Sequence, residues 1–584
     1  MNPAHSRFFL VKVRSLFLQH AAESICAVVL LLMAMNFIAV ISRKSLTNDE
    51  KYHIPAGYYH LVFGDFQLNP EHPPLVKMVA AAPLAFLQPA TPSPAISPNE
   101  NPILLGHDVF VAFWDANPDK LEAISFWARV PMVVLSILFG IGLFSYTRYI
   151  AGSLAAVFAV LMFSLEPTIL AHGRIVQTDV PAAFAYLLFF FALQRVVDRP
   201  SVLRSLAFGL AAGFALVIKF SLVIILPVFA IALVVLGWRQ YKAYPHLSNV
   251  ALKLGLAVVA SLLVVNLAYY FKRTPLSPAN REAVVQEWPE HATAAAHAFH
   301  VASAIVPSTY LFGMFVIAVH NHWGHYASLL GEYSRTGWWY YFPVAFALKT
   351  TVPFLLVSTS ALFWAVWRLI RHRETNLFLP LLAIALYAAF SMNSRINIGV
   401  RHFLPVFPFL FLLSGILLSR LLQTRYKQAA TGIAVLLCSW MAFEAIRTFP
   451  NYIPYMNQLA YSRPHWYYLS DSNVEWGDDT GELAQYLLER GETRVRAALL
   501  GGWMSKVQYG VDYVNPLVVD QPVEQTRYFA IGASFLNGST VPLIRNQAGR
   551  PITEQQRRDF FAAYRERPPE AIFGNSIYLF REKD

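Results

Sequence analysis

The sequence predicts an α-helical polytopic membrane protein that ends in a small α/β domain, and three observations carry that prediction. Hydrophobic residues make up 56% of the 584 positions and charged residues 14%, where a soluble domain carries about 25% charge. Apolar runs of roughly 17–25 residues, long enough to cross a hydrocarbon core, recur up to residue 447. Beyond that point the runs give way to short alternating segments. The net charge of +11 fits Lys and Arg collecting in cytoplasmic loops. No basic run with interleaved aromatics suggests a nucleic-acid surface. Cys26 and Cys438 both lie inside apolar runs, so neither a disulfide framework nor a cysteine metal cluster is implied.

Taken in order, Arg7, Lys12 and Arg14 precede the first run, 24–42. No small-residue cleavage site follows, so this run is expected to be an uncleaved anchor. Further spans are expected near 126–148, 152–171, 180–196, 203–219, 221–238, 252–271, 343–367, 376–391, 402–419 and 429–447. With the N-terminus cytoplasmic, this count of about eleven puts four basic clusters on the same face: Arg195/Arg199/Arg204, Arg239/Lys242/Lys253, Arg368/Arg371/Arg373 and Arg420/Arg425/Lys427. The run 301–319 is read as a helix in the outer interface, because a further crossing would invert the later clusters.

The opposite face then receives the long segments 43–125, 272–341 and 448–584, with tight turns at 172–179, around Lys219 and at 392–401. The prolines of 88–102 mark a non-helical excursion. In the tail, Arg494–Leu500 and Tyr528–Ile531 alternate as strands do, and Thr480–Glu489 reads as a helix. Residues 1–447 are therefore expected to form the transmembrane part, and 448–584 an extracytoplasmic α/β domain.

Polar residues gather in the outer segments. Asp49 and Glu50 follow the first span, with Glu71, His72 and Lys77 later in the same loop. Arg129 stands early in the second span, Arg174 and Asp179 in a tight turn, and Lys219 within an apolar stretch. The loop ending at 341 offers His325 and Tyr326, followed by Trp338–Phe342 and Lys349, and the last tight turn offers Arg401 and His402. Charges at the edge of hydrocarbon are costly and mark function, although Asn48 or Asp49 also suits a helix N-cap. Lys219 also suits snorkelling to the interface. Trp338–Phe342 also suits an aromatic belt. His320, His322 and His325 lack firm metal-ligand spacing. No phosphate-binding glycine loop is visible. Cations beside carboxylates suit a lipid phosphate and an attacking hydroxyl.

The motifs Asn48-Asp49-Glu50, His72-Pro73-Pro74-Leu75, Trp127-Ala128-Arg129, Ile218-Lys219-Phe220-Ser221, Trp338 to Thr350, Arg401-His402-Phe403-Leu404-Pro405 and Asp471 to Asp479 follow one another as in a known family. Together they resemble the bacterial phospholipid-carrier-dependent glycosyltransferases of the protein O-mannosyltransferase and aminoarabinose transferase-like family. That resemblance implies a C-type glycosyltransferase fold, with amphipathic helices in the first outer loop. It also implies an inverting transfer of one sugar from a polyprenyl-phosphate donor to a hydroxyl of protein, lipid or glycan. Asp49 matches the base, with Glu50 beside it. Asp179 matches an acidic position next to the donor, and His72 a histidine shared with the O-mannosyltransferases. Lys219, Arg401 and His72 are expected at the phosphate, without metal or cofactor. The tail beyond 490 does not resemble the β-trefoil of eukaryotic members. The expected location is a bacterial inner membrane. A transporter or flippase of a lipid-linked sugar is the alternative, disfavoured by the one-sided loops and the absence of a repeat.

Overall fold

The computed structural model describes residues 20–92, 107–243, 247–273, 275–276, 278–287, 292–517, 526–542 and 552–582. Arg7, Lys12, Arg14 and the prolines at 94, 98 and 102 lie outside this set.

Among the described residues, nine helices are long and apolar enough to span a membrane: Ala21–Ile41, Pro118–Ala151, Asp179–Asp198, Phe220–Arg239, Val250–Ala268, Val352–His372, Thr375–Met392, Val400–Leu421 and Lys427–Thr448. The chain is a multi-pass membrane protein. The expected count of about eleven is not confirmed: at the other two positions the helices are shorter, Ser153–Leu165 and Val202–Leu216. Glu166 and Pro167 end the first of these, and Lys219 stands just beyond the second. The reason is local. A proline cannot continue the hydrogen-bond ladder, and a helix end beside a buried charge is where the charge finds partners. The run 301–319 becomes the 16-residue helix Ser308–Trp323.

Large apolar side chains remain exposed on the outer helices, such as Leu31, Val234, Phe363 and Ile446, as lipid-facing surfaces require. The helix Val400–Leu421 is instead buried almost throughout and forms the centre of the bundle. Small residues let the backbones meet. A Cβ at Gly415 would lie 2.3 Å from the carbonyl oxygen of Ala155, and one at Gly209 would lie 2.1 Å from that of Ala257.

The first long loop folds into helices Glu50–Phe63, Pro74–Ala81, Leu84–Leu87 and His107–Asp115. Further on, strands β1 (Ala327–Leu329) and β2 (Glu332–Ser334) make a hairpin. The tail holds a five-stranded sheet of β3 (Arg494–Ala498), β4 (Asp512–Val514), β5 (Tyr528–Gly532), β6 (Ala571–Phe573) and β7 (Ile577–Arg581), in the order β4-β3-β5-β7-β6. β3 runs parallel to β4 and β5; β7 is antiparallel to β5 and β6. The helix Thr480–Leu488 packs on it through Leu483, Ala484 and Leu487. Residue 448 does not separate two cores. Tyr452, Ile453, Met456, Leu469, Val474 and Trp476 belong to the same apolar cluster as the membrane helices.

Candidate active site

Asp49 precedes the helix Glu50–Phe63, yet its side chain makes no capping hydrogen bond. Arg401, at the start of the central helix, donates through Nη1 to Asp49 Oδ2 at 2.7 Å. The same Nη1 lies 3.6 Å from Asp179 Oδ2, and Lys219 donates to Asp179 Oδ1. Four residues from four distant parts of the sequence thus form one chain of alternating charge. Arg401 rests on the Trp476 ring, 4.2 Å from its centroid, a cation–π contact that holds the guanidinium in place. Its Nε is buried without a hydrogen-bond partner.

These groups open on a cavity of about 460 Å³. Of the residues singled out in the sequence, Asp49, Glu71, His72, Asp179, Lys219, His325, Arg401 and His402 line it. Tyr52, His53, His107 and His320 line it as well; apart from His320, nothing in their local sequence distinguished them. His53 Nδ1 lies 3.0 Å from the carbonyl oxygen of Val176, and its ring meets that of His72 edge-on at 5.0 Å. Burial, reinforced for His72 by the Lys219 and Lys77 charges, pushes both imidazoles below their usual range. Both are neutral at pH 7 and act there as dipoles. Burial raises Asp49, but the Arg401 charge outweighs it, and His53 adds to the effect, so the carboxyl lies below the ordinary range. Asp49 is a carboxylate at neutral pH, able to accept a proton.

The remaining candidates stand behind the cavity wall. Glu50, expected beside Asp49 in the catalytic pair, is fully buried and fully engaged. Arg129 donates to it twice, through Nε and Nη2 at 2.7 Å each, and the Thr47 and Val176 backbone amides donate at 2.8 and 3.0 Å. Its neighbours hold Glu50 ionised and leave it no oxygen facing the cavity. Arg129 also donates to the carbonyls of Lys44 and Ser45, which fixes the chain leading to Asp49. Arg174 reaches Asp478 at 3.3 Å. Lys77 donates to Asn69, at 2.8 Å to its carbonyl oxygen, and burial brings its amine down to about 7. Lys349 donates to the carbonyls of Ile453 and Asn473 at 2.7 and 2.6 Å. Tyr326 lines a different cavity. Within Trp338–Phe342 only Trp339 is strongly exposed, and Tyr341 is buried, its hydroxyl accepting from Asn473.

The segment Asp471 to Asp479 is a strap over the helix ends, a role its residue types alone did not disclose. Trp476 O accepts from Asn48 N at 2.8 Å, and Asp478 O from Ser45 N at 3.0 Å. Asn473 Oδ1 accepts from Val400 N at 2.9 Å, and Ser472 Oγ donates to Ile398 O at 2.8 Å. Lys44 pairs with Asp479. The strap thereby sets both Asp49 and Arg401. Gly477 is needed within it, at φ +94°, where a Cβ would press to 2.7 Å on the Leu500 carbonyl oxygen.

Residues 122–268 match the family of dolichyl-phosphate-mannose-protein mannosyltransferases. The matched stretch includes Arg129, Arg174, Asp179 and Lys219, while Asp49 and Arg401 lie on either side of it. Among solved structures, the chain is similar to ArnT of Cupriavidus metallidurans bound to undecaprenyl phosphate. The identity there is 15% and the TM-score 0.45, covering 80% of this chain and 72% of that one. It is also similar to the oligosaccharyltransferase AglB of Archaeoglobus fulgidus in complex with an inhibitory peptide and a dolichol-phosphate. That match has 12% identity and a TM-score of 0.40, covering 88% and 70%. No curated protein matches the sequence significantly.

Proposed function

We propose that this chain transfers a single sugar, with inversion, from a polyprenyl-phosphate carrier to a hydroxyl acceptor on the non-cytoplasmic face of a bacterial inner membrane. The observation that carries this reading is the convergence of Asp49, Arg401, Asp179 and Lys219 in one cavity at the helix ends. A lipid-linked sugar phosphate needs cations for its phosphate and a base near the sugar, and this cluster of cations and carboxylates supports both roles.

In the proposed step the acceptor oxygen attacks the anomeric carbon and its proton passes to Asp49. The bond from that carbon to the phosphate oxygen breaks, and its electron pair leaves with the polyprenyl phosphate. The guanidinium of Arg401 and the ammonium of Lys219, which both line the cavity, supply positive charge for the phosphate as it leaves. Asp179 holds those two cations in register. Glu50 and Arg129 act one layer behind, by fixing the backbone on either side of Asp49.

The test is release of polyprenyl phosphate from a panel of synthetic polyprenyl-phosphate sugars, with the purified protein in detergent. Asp49→Asn is expected to lower release by about 10²–10⁴-fold, the range of a lost general base, while donor binding persists. A variant within tenfold of wild type would remove Asp49 from the base role.

A further inference from the structure

A second cavity, of about 510 Å³, also reaches Asp49 and Arg401. One wall comes from the tail, through Asp471, Trp476, Ser539 and Arg557; the other is the segment from Gly324 to Arg335. The two walls are tied to each other. Leu330 N donates to Tyr468 O at 2.9 Å, Asn537 Nδ2 to Ser328 Oγ at 2.9 Å, and the Tyr326 hydroxyl to Glu554 at 2.7 Å. The space is built into the fold, and its size is that of a small-molecule site.

Its chemistry differs from that of the first cavity. Arg557 is committed: it covers the Tyr326 ring at 3.6 Å and donates to the carbonyls of Ser539 and Val541. Arg335 is not. Its exposed guanidinium lies 5.5 and 5.8 Å from the Tyr326 and Trp323 ring centroids. It has no hydrogen bond or ion pair among the described residues. Ser539 is buried, and its Oγ has no partner. The cavity's carboxylates do not answer Arg335. Asp49 is paired with Arg401. Burial lifts Asp471 to about 6 and drops His325 to about 4, so their 4.0 Å contact is not an ion pair at neutral pH. The cavity therefore presents an unanswered cation on the side of the base away from Lys219, which lines the first cavity and not this one.

We propose that this second cavity is the acceptor site, and that it takes a hydroxyl compound bearing a carboxylate or phosphate, which Arg335 binds while the hydroxyl faces Asp49. The inference rests on the transferase reading above and deepens it. With the acceptor on one side of Asp49 and the sugar phosphate on the other, attack and departure occur on opposite faces of the anomeric carbon. That is the geometry of inversion.

The experiment uses the full chain in detergent, the same donor panel, and three acceptors: an alkyl glucoside, its glucuronide and its 6-phosphate. Transfer product and polyprenyl phosphate are both measured. Wild type is expected to favour an anionic acceptor over the neutral one by about tenfold or more in kcat/KM, through KM, as one charge-assisted hydrogen bond allows. The two anionic arms tell carboxylate from phosphate. Arg335→Ala is expected to bring the preference to near unity, and Arg335→Lys to restore much of it. Equal use of the three acceptors, a preference that survives Arg335→Ala, or cleavage of donor by water with no transfer to any of them would each overturn the acceptor assignment and leave the transferase standing. No cleavage of any donor under any condition would overturn the transferase reading itself.

Discussion

Arg401→Gln separates the two roles that the structure gives to one guanidinium. Its Nη1 lies 2.7 Å from Asp49 and 3.6 Å from Asp179, so the substitution removes the strongest influence that holds Asp49 ionised against burial. An opposite charge at this range is worth about 1–3 pKa units. The sign follows from the base having to be ionised. In wild type the Asp49 carboxyl lies below the ordinary range, so activity persists into acid. In the variant burial is less opposed, the pKa rises, and the acid limb of kcat/KM moves up by about 1–3 pH units. Loss of the donor to the phosphate lowers the plateau as well, by about 10²–10³-fold. The assay is polyprenyl phosphate release measured from acid to neutral pH, with wild type and variant at matched folding by thermal unfolding in detergent. A plateau that falls with the acid limb unmoved, or a limb that moves down, would refute the coupling of Arg401 to Asp49.

Two further outcomes test the supporting layer. Glu50→Ala leaves the fully buried Arg129 without its carboxylate and is expected to destabilise the protein by about 3–5 kcal/mol, seen as a lower unfolding temperature in detergent. An inactive Glu50→Ala of unchanged stability would return Glu50 to the chemistry. Trp476→Ala removes the ring beneath Arg401 and is expected to slow donor cleavage by about tenfold or more, with Trp476→Phe retaining most of the rate. Equal loss in both variants would show that the ring face is not what positions Arg401.

The membrane part was legible because hydrophobic length is a one-dimensional signal: a run either covers the hydrocarbon thickness or it does not. The two shorter helices, Ser153–Leu165 and Val202–Leu216, arise where runs continuous by composition are broken by Glu166–Pro167 and Lys219. The strands Arg494–Ala498 and Tyr528–Gly532 stand where the sequence alternates, because period-two patterning is also local. The boundary at 448 was less secure. A change in composition marks where hydrophobic runs stop, but not where packing stops, and Tyr452 to Trp476 pack with the helices.

Within the site, the sequence by itself determined the kinds of group available: carboxylates at 49, 50 and 179, cations at 129, 219 and 401, all at the ends of apolar runs. It did not determine which of them face the cavity. Asp49 and Glu50 are neighbours in sequence, yet one lines the cavity and the other is closed off by Arg129, Thr47 and Val176. Successive helical residues point about 100° apart, so only the packing around them decides which is reachable. The same holds for Trp476 and Arg335. Neither residue's place in the site shows in its local sequence, and each acquires that place from a segment far away along the chain. Composition and periodicity decide the architecture because burial of apolar surface is additive along the chain. Which carboxylate faces the cavity, which cation meets it and where the second cavity lies were decided only by tertiary structure, because charge interactions depend on distances that sequence does not contain.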